Sequence, residues 1–163
     1  MENAKPRECR PCAACCHGWL RIEVDDVRAT LGSPCPHSAR SGCTIYDRRP
    51  VDPCQTFICG WRMNDSPLPE WMRPDQCKAI VMLDRMRWRD QPVVLAVSVG
   101  ARIQERTLDW LRQFAQVNGR PMLWEEYEQL KGKYTGRKRI ATFGSPAFEQ
   151  EMHATHGRGE KLW

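Results

Sequence analysis

The stretch CRPCAACC, residues 9–16, places four thiols in eight positions. Cys9, Cys12 and Cys15 repeat a Cys-x-x-Cys spacing, and Cys16 follows at once. Two residues between ligands let the chain turn back, so that two sulfurs meet one metal or the edge of one cluster while nearby backbone amides point at the sulfurs. Neighbouring side chains of an extended chain point apart, so Cys15 and Cys16 are expected to reach different centres. The run reads as part of a shared framework and not as four ligands on one ion.

Moving outward, Cys35, Cys43, Cys54 and Cys59 complete a set of eight thiols before residue 60, and only Cys77 lies beyond it. The intervening sequence is rich in Pro, Gly and Arg, and GSPCPHSARSGC (32–43) has neither helical nor strand periodicity. Hydrophobic burial organises such a segment poorly. Metal cross-links can replace it, because the free energy of binding becomes free energy of folding. Eight thiols suit a pair of tetrahedral sites, or one cluster with an additional site, and His37 in CPH is a candidate substitute for a thiol in either. Spacing leaves open which sulfurs share a centre. The Cys-x2-Cys-x2-Cys run matches the spacing that holds three corners of a cubane cluster in bacterial ferredoxins, and the second Cys-x-x-Cys of paired zinc knuckles is missing. The cofactor expectation therefore leans to an iron–sulfur cluster, with Zn2+ next.

The compartment supports metal over disulfides. MENAKPREC lacks the apolar run of a secretory signal, and no window has the unbroken apolar span of a membrane helix, so the expected location is cytoplasmic, with no membrane partner. At 163 residues and 41% hydrophobic composition, the chain suits a single domain over 1–163, with residues 9–61 as the cysteine-rich lobe and 78–150 as an α+β scaffold. The net charge of +5 is far from the density of a dedicated nucleic-acid binder.

In the front lobe, GWLRIEVDDVRATLG reads as a strand at 19–24 and a helical turn capped by Asp25 and ended by Gly32. Residues 62–76 read as a proline-rich connector with one turn around Trp71. KAIVMLD (78–84) and PVVLAVSV (92–99) fit an antiparallel pair with a turn near Asp90. RIQERTLDWLRQFAQVNG (102–119) predicts an amphipathic helix with Ile103, Leu108, Leu111, Phe114 and Ala115 as its apolar stripe. RPMLW is expected to be a strand, EEYEQLK a short helix, KRIATFG extended, and EMHATHGRGEKLW loosely held. The fold class is α+β: an irregular, metal-stapled cysteine lobe packed on a small antiparallel sheet with one main amphipathic helix.

The ordered series CRPCAACC, CPH, GCTIYDRRP and CQTFICGW resembles the YkgJ-type cysteine-cluster family, described as a zinc- or iron-chelating domain and marked by CxxCxxCC. The resemblance covers residues 9–61. It implies Cys9, Cys12, Cys15, Cys16, Cys35, Cys43, Cys54 and Cys59 as metal ligands. Three residues separate Pro50 from Cys54 where the family pattern has two, and Gln55 stands where an Arg is usual. A related cluster occurs in flagellin lysine methylases, but no cofactor fingerprint for methyl transfer is present here.

Around the ligands, Tyr46 is expected to pack over the lobe with its hydroxyl bonded to backbone, Asp47 to pair with Arg48 or Arg49, and Phe57 and Trp61 to shield the metal from water. Arg85, Arg87 and Arg89 form a basic stripe if RMRWRD is extended, with Met86 and Trp88 opposite; a solvated strand edge is the plainer reading. Cys77 reads as a core thiol, and His153 and His156 as surface residues of the tail. No catalytic residue is assigned. The leading expectation is a metal-binding protein. Its alternatives are an iron–sulfur electron-transfer protein docking a redox partner on the Arg-rich face, and a zinc-stabilised module binding nucleic acid through Arg85, Arg87, Arg89 and Lys138.

Overall fold

Asp25 and Asp26 both take left-handed backbone angles, φ 51° and 63°. Two consecutive positive-φ residues make the tight turn whose twist suits a β-hairpin. In the computed structural model, which describes residues 6–163, they join β1 (Glu23–Val24) to β2 (Val27–Arg28). The expected helical turn capped by Asp25 is therefore a hairpin, and the expected strand at 19–24 shrinks to its last two residues. Residues Cys15–Trp19 instead form one helical turn, kinked at Gly18 (φ 94°). A Cβ at Gly18 would lie 2.1 Å from the Thr30 carbonyl carbon, so only glycine lets these two segments meet.

A second ribbon pairs β3 (Ser38–Ala39) with β4 (Gly42–Cys43). Single helical turns follow at Tyr46–Arg48, Val51–Gln55 and Glu70–Met72, the last enclosing Trp71 as expected of the connector. The short helix α1 (Pro74–Cys77) then delivers the chain to the sheet, with Pro at its first turn, where a missing N–H costs nothing.

The scaffold is a four-stranded sheet in the order β10, β9, β8, β5, built from β5 (Ala79–Met82), β8 (Val94–Ser98), β9 (Met122–Leu130) and β10 (Lys133–Phe143). β5 and β8 are antiparallel, as their apolar texture implied. Between them β6 (Arg87–Trp88) and β7 (Gln91–Pro92) close through Arg89 and Asp90, both at positive φ. β8 and β9 run parallel, and the crossover that parallel pairing requires is α2 (Glu105–Val117). Leu108, Leu111 and Ala115 bury its apolar stripe, and Ile103 is buried just ahead of it.

EEYEQLK is not a helix. Five of its residues continue β9 opposite β10: Glu125 opposes Ile140, Glu126 opposes Arg139, Tyr127 opposes Lys138, Gln129 opposes Tyr134 and Leu130 opposes Lys133. Long-range pairing here overrides local propensity. The C-terminal residues are not loose either. Ser145 caps α3 (Pro146–Gly157) by accepting a hydrogen bond from the Phe148 amide at 3.3 Å. Phe148 and Met152, one turn apart, are buried, with Phe148 edge-on to Trp88 at 5.3 Å. The α+β class holds, with a parallel pair in the sheet and a second helix added.

The cysteine lobe shares the scaffold's core. Ala14, Leu20, Cys59 and Trp61 belong to the same buried cluster as β5, β8 and α2. Gly60, next to Cys59, lies on edge strand β5: its amide donates to the Val81 carbonyl at 2.6 Å. A Cβ there would sit 3.0 Å from that oxygen. Across the junction the Tyr127 hydroxyl donates to the Trp19 carbonyl at 2.6 Å. Truncating the anchor of α3, Phe148→Ala, is expected to cost about 3–5 kcal/mol, read as a lowered urea midpoint.

Candidate metal centre

Seven of the eight front thiols, Cys9, Cys12, Cys15, Cys16, Cys43, Cys54 and Cys59, line one cavity of ≈ 80 Å³. Its remaining wall is Ala13, Ala14, Ile22, Tyr46, Pro53, Phe57, Trp61 and Pro74, with Arg49 as the one cation. The eighth thiol, Cys35, is buried beside Val24 and Ala29, where Cys16 and Cys54 pack against it. All nine cysteines of the chain are free thiols.

Burial is the main reason these thiols resist ionising, and the sulfurs that next oppose each one reveal its neighbours. Burial pushes Cys15 well above the ordinary range; the thiolate charges of Cys59 and Cys12 add most to this, followed by Cys16 and Cys9. Cys16 is pushed up to about 12 by burial, then by Cys35, Cys43 and Cys54, with Cys9 weakest. Cys59 rises to about 11 through burial, with Cys9 and Cys12 as its thiol neighbours. Burial also raises Cys54, with Cys35 and Cys43 next. The mutual opposition is strongest within Cys9, Cys12, Cys15 and Cys59 and within Cys16, Cys35, Cys43 and Cys54, and the two groups adjoin, since Cys16 also opposes Cys15 and Cys9 opposes Cys16. Cys15 is opposed most by Cys59 and Cys12, and Cys16 most by Cys35 and Cys43, so the adjacent pair differs in its strongest thiol neighbours.

Each neighbourhood is held by local structure. In the first, the Cys9 amide donates to the Tyr46 hydroxyl at 3.3 Å. Backbone amides of Ala14 and Asp75 point at the Cys12 sulfur, and those of Arg62 and Trp61 at Cys59, each favouring the thiolate. The Ala14 amide is the kind of contact the Cys-x-x-Cys spacing predicts, while the Asp75, Arg62 and Trp61 amides come from outside that run. Asp75 was not visible as a contributor in a stretch read as connector; the Pro74 that opens α1 is the signal that a backbone turn begins there. In the second, the Cys35 amide donates to the Cys16 carbonyl at 2.8 Å, and β4 presents Cys43.

Tyr46 lies over the lobe between two guanidiniums, Arg10 at 4.5 Å and Arg49 at 3.9 Å from its ring. Arg49 also donates to the Tyr46 carbonyl at 2.6 Å. Asp47 pairs with neither Arg48 nor Arg49; its nearest cation is Arg10, at 4.0 Å. Phe57 and Trp61 do form cavity wall, and Trp61 is held by its indole N–H on the Glu70 carbonyl at 3.2 Å and by Arg7 over its ring at 4.9 Å.

The other candidates fall outside the cavity. His37 pairs through Nε2 with Asp25 at 3.1 Å. Cys77 is a core thiol, donating to the Met72 and Ala79 carbonyls. His153, on α3, meets the Thr142 hydroxyl at 3.2 Å. The arginine stripe is not one surface. Arg85 reaches toward the Phe57 ring at 5.8 Å, Arg87 donates to the Asp90 carbonyl, and Arg89 sits in the turn over Trp88 at 4.4 Å. The turn's left-handed residues break the alternation that an extended strand would give.

Among the described residues, no three His, Cys, Asp or Glu side chains converge tightly enough to hold a metal ion. The sulfurs are gathered into two neighbourhoods and not closed on two points. Their chemistry nonetheless fits metals that take four thiolates: soft donors, an apolar wall, amides aimed at sulfur, and little competing positive charge. No protein family, curated protein or solved structure matches the chain.

Because Cys16 and Cys59 rise from 9.0 to about 12 and about 11, folding favours their protonated forms in the metal-free chain. That stability is complete below pH 9.0 and is lost as pH rises through about 11 to 12. Urea midpoints of metal-free protein should fall between about pH 8 and about pH 11, and Cys16→Ser should reduce the fall.

Proposed function

We propose that this chain is a metal-binding cysteine-cluster protein whose front lobe holds metal through two thiolate quartets. One is Cys9, Cys12, Cys15 and Cys59, and the other Cys16, Cys35, Cys43 and Cys54. The observation that carries the reading is the convergence of seven thiols on one apolar cavity, with the eighth packed against two of them. Cys77 lies outside the cavity wall, in the same core cluster as Cys59, where the Cys12 and Cys59 thiolates oppose its ionisation.

The metal would supply the positive charge that a buried set of thiolates lacks, and it would tie together three segments far apart in sequence. The chain's own residues do the rest. Ala14, Asp75, Trp61 and Arg62 orient amides at sulfur; Phe57 and Trp61 form the wall that limits water. Tyr46 fixes the strand of backbone that carries Cys9. Zinc and iron–sulfur clusters share this donor chemistry, and the all-thiol sets without His37 suit both. The reading agrees with the resemblance to YkgJ-type proteins.

The test is anaerobic purification with metal analysis and a visible absorption spectrum. Zinc or iron copurifies, with broad visible bands if iron–sulfur and none if zinc. Cys12→Ser and Cys54→Ser each lose metal and loosen the front lobe, whereas Cys77→Ser keeps the full complement. A metal-free chain as resistant to urea as the purified protein would contradict the proposal.

A further inference from the structure

On the face where the cysteine lobe meets the tip of the β9–β10 hairpin, two clefts adjoin. One, of ≈ 650 Å³, is lined by Arg21, Arg28, Thr30, Lys133 and Tyr134, and no carboxylate lines it. The other, of ≈ 810 Å³, carries Arg85, Lys138 and Lys161 beside Trp19. Arg21, Arg28 and Gly136 line both, so the two run into each other.

Within these two clefts cations outnumber carboxylates; Arg21 and Arg85 also line an adjoining cleft that carries Glu23, Asp25, Asp26 and Asp52. The second cleft has three carboxylates: Glu125 is paired with Lys138 at 2.7 Å, Glu160 with Arg158 at 2.6 Å, and Glu23 lies 3.8 Å from Arg28. Among the described residues, Arg21, Lys133, Arg85 and Lys161 have no carboxylate within ion-pair distance. Unpaired cations spread along a concave surface attract an anion, and their spread over two clefts favours a chain of charges over a single one.

The hairpin adds what a base would need. Tyr134 is 39% exposed and is braced edge-on by Trp19, at 5.4 Å, and by Tyr127, at 6.4 Å. The β9–β10 register breaks between Tyr134 and Lys138, lifting Thr135, Gly136 and Arg137 out of the ladder and setting Thr135 and Gly136 in the groove wall. Gly136 stands at φ 82° where the clefts join, and it puts no side chain in the path. A braced aromatic next to a track of free cations is the chemistry that holds single-stranded nucleic acid: phosphates on the cations, a base on the ring.

We infer that this groove binds a short stretch of single-stranded nucleic acid, with Arg21, Lys133 and Arg85 on phosphates and Tyr134 as the stacking ring. The surface differs from the one the arginine stripe suggested: Arg87 and Arg89 take no part. Its chemistry is independent of which metal the lobe holds.

The probe is a fluorescein-labelled oligothymidylate of about 12 nucleotides, titrated with the protein as purified and read by anisotropy. With about three phosphates engaged at a slope of roughly −0.7 each, affinity should fall roughly 20-fold between about 50 and about 200 mM salt. Arg21→Ala with Lys133→Ala should flatten the slope by about 1.4. Tyr134→Ala should weaken binding about 10-fold or more with the slope unchanged. Arg87→Ala, in neither cleft, should bind like the parent. Lys133→Glu, a fully exposed change, gives the same loss of binding should the double variant fold poorly. Absent or salt-insensitive binding, an unaffected Lys133→Glu variant, equal affinity for a duplex, or equal competition by polyglutamate would overturn the inference; the last would make the groove a site for an acidic peptide.

Discussion

The kinked turn at Cys15–Trp19 sets two adjacent thiols among different neighbours, and the order of the front lobe depends on it. Gly18 makes the turn possible by meeting the Thr30 backbone at a distance no side chain tolerates. The Cys35 amide then closes on the Cys16 carbonyl, bringing a remote loop to the second quartet. Cys15 meanwhile faces Cys12 and Cys59, close to the sheet. One short turn thus shares eight sulfurs between two neighbourhoods.

Gathering so many thiols in an apolar cavity is electrostatically unfavourable once they ionise, and the lobe carries little to offset it. Arg49 is the one cation in the cavity wall, and its guanidinium is also engaged with Tyr46. Backbone amides favour the thiolates of Cys12 and Cys59 without cancelling the cost of burial. The scaffold contributes rigidity: Gly60 pins the Cys59 segment to β5, and Tyr127 pins Trp19 to β9. Cys59 therefore stands on the sheet, whereas Cys35 belongs to a separate buried cluster with Val24 and Ala29.

Much of this was legible in the residues. The Cys-x-x-Cys repeats foretold the Ala14 amide aimed at the Cys12 sulfur, whereas the extended chain from which Cys15 and Cys16 were expected to part is a helical turn. The β-branched runs of β5 and β8 and the stripe of α2 announced themselves because burial selects them locally. EEYEQLK misled because its helical propensity is local while its partner, KRIATF, lies across a hairpin. Asp25 misled because one residue type serves both helix caps and left-handed turns, and only the second Asp favours the turn. Ser145 before Pro146 marked the start of α3, yet its apolar face is only Phe148 and Met152, too sparse to show a period. The proposed division into quartets has no signal in the spacing, since it depends on how the Pro-rich loops fold back.

The most direct test of that division is native mass spectrometry of the Cys15→Ser and Cys16→Ser variants, counting metal per chain. Each variant should lose the metal of its own quartet and keep that of the other, so that neither is empty and neither is full. Loss of all metal from either variant, or retention of the full complement in both, would contradict the account.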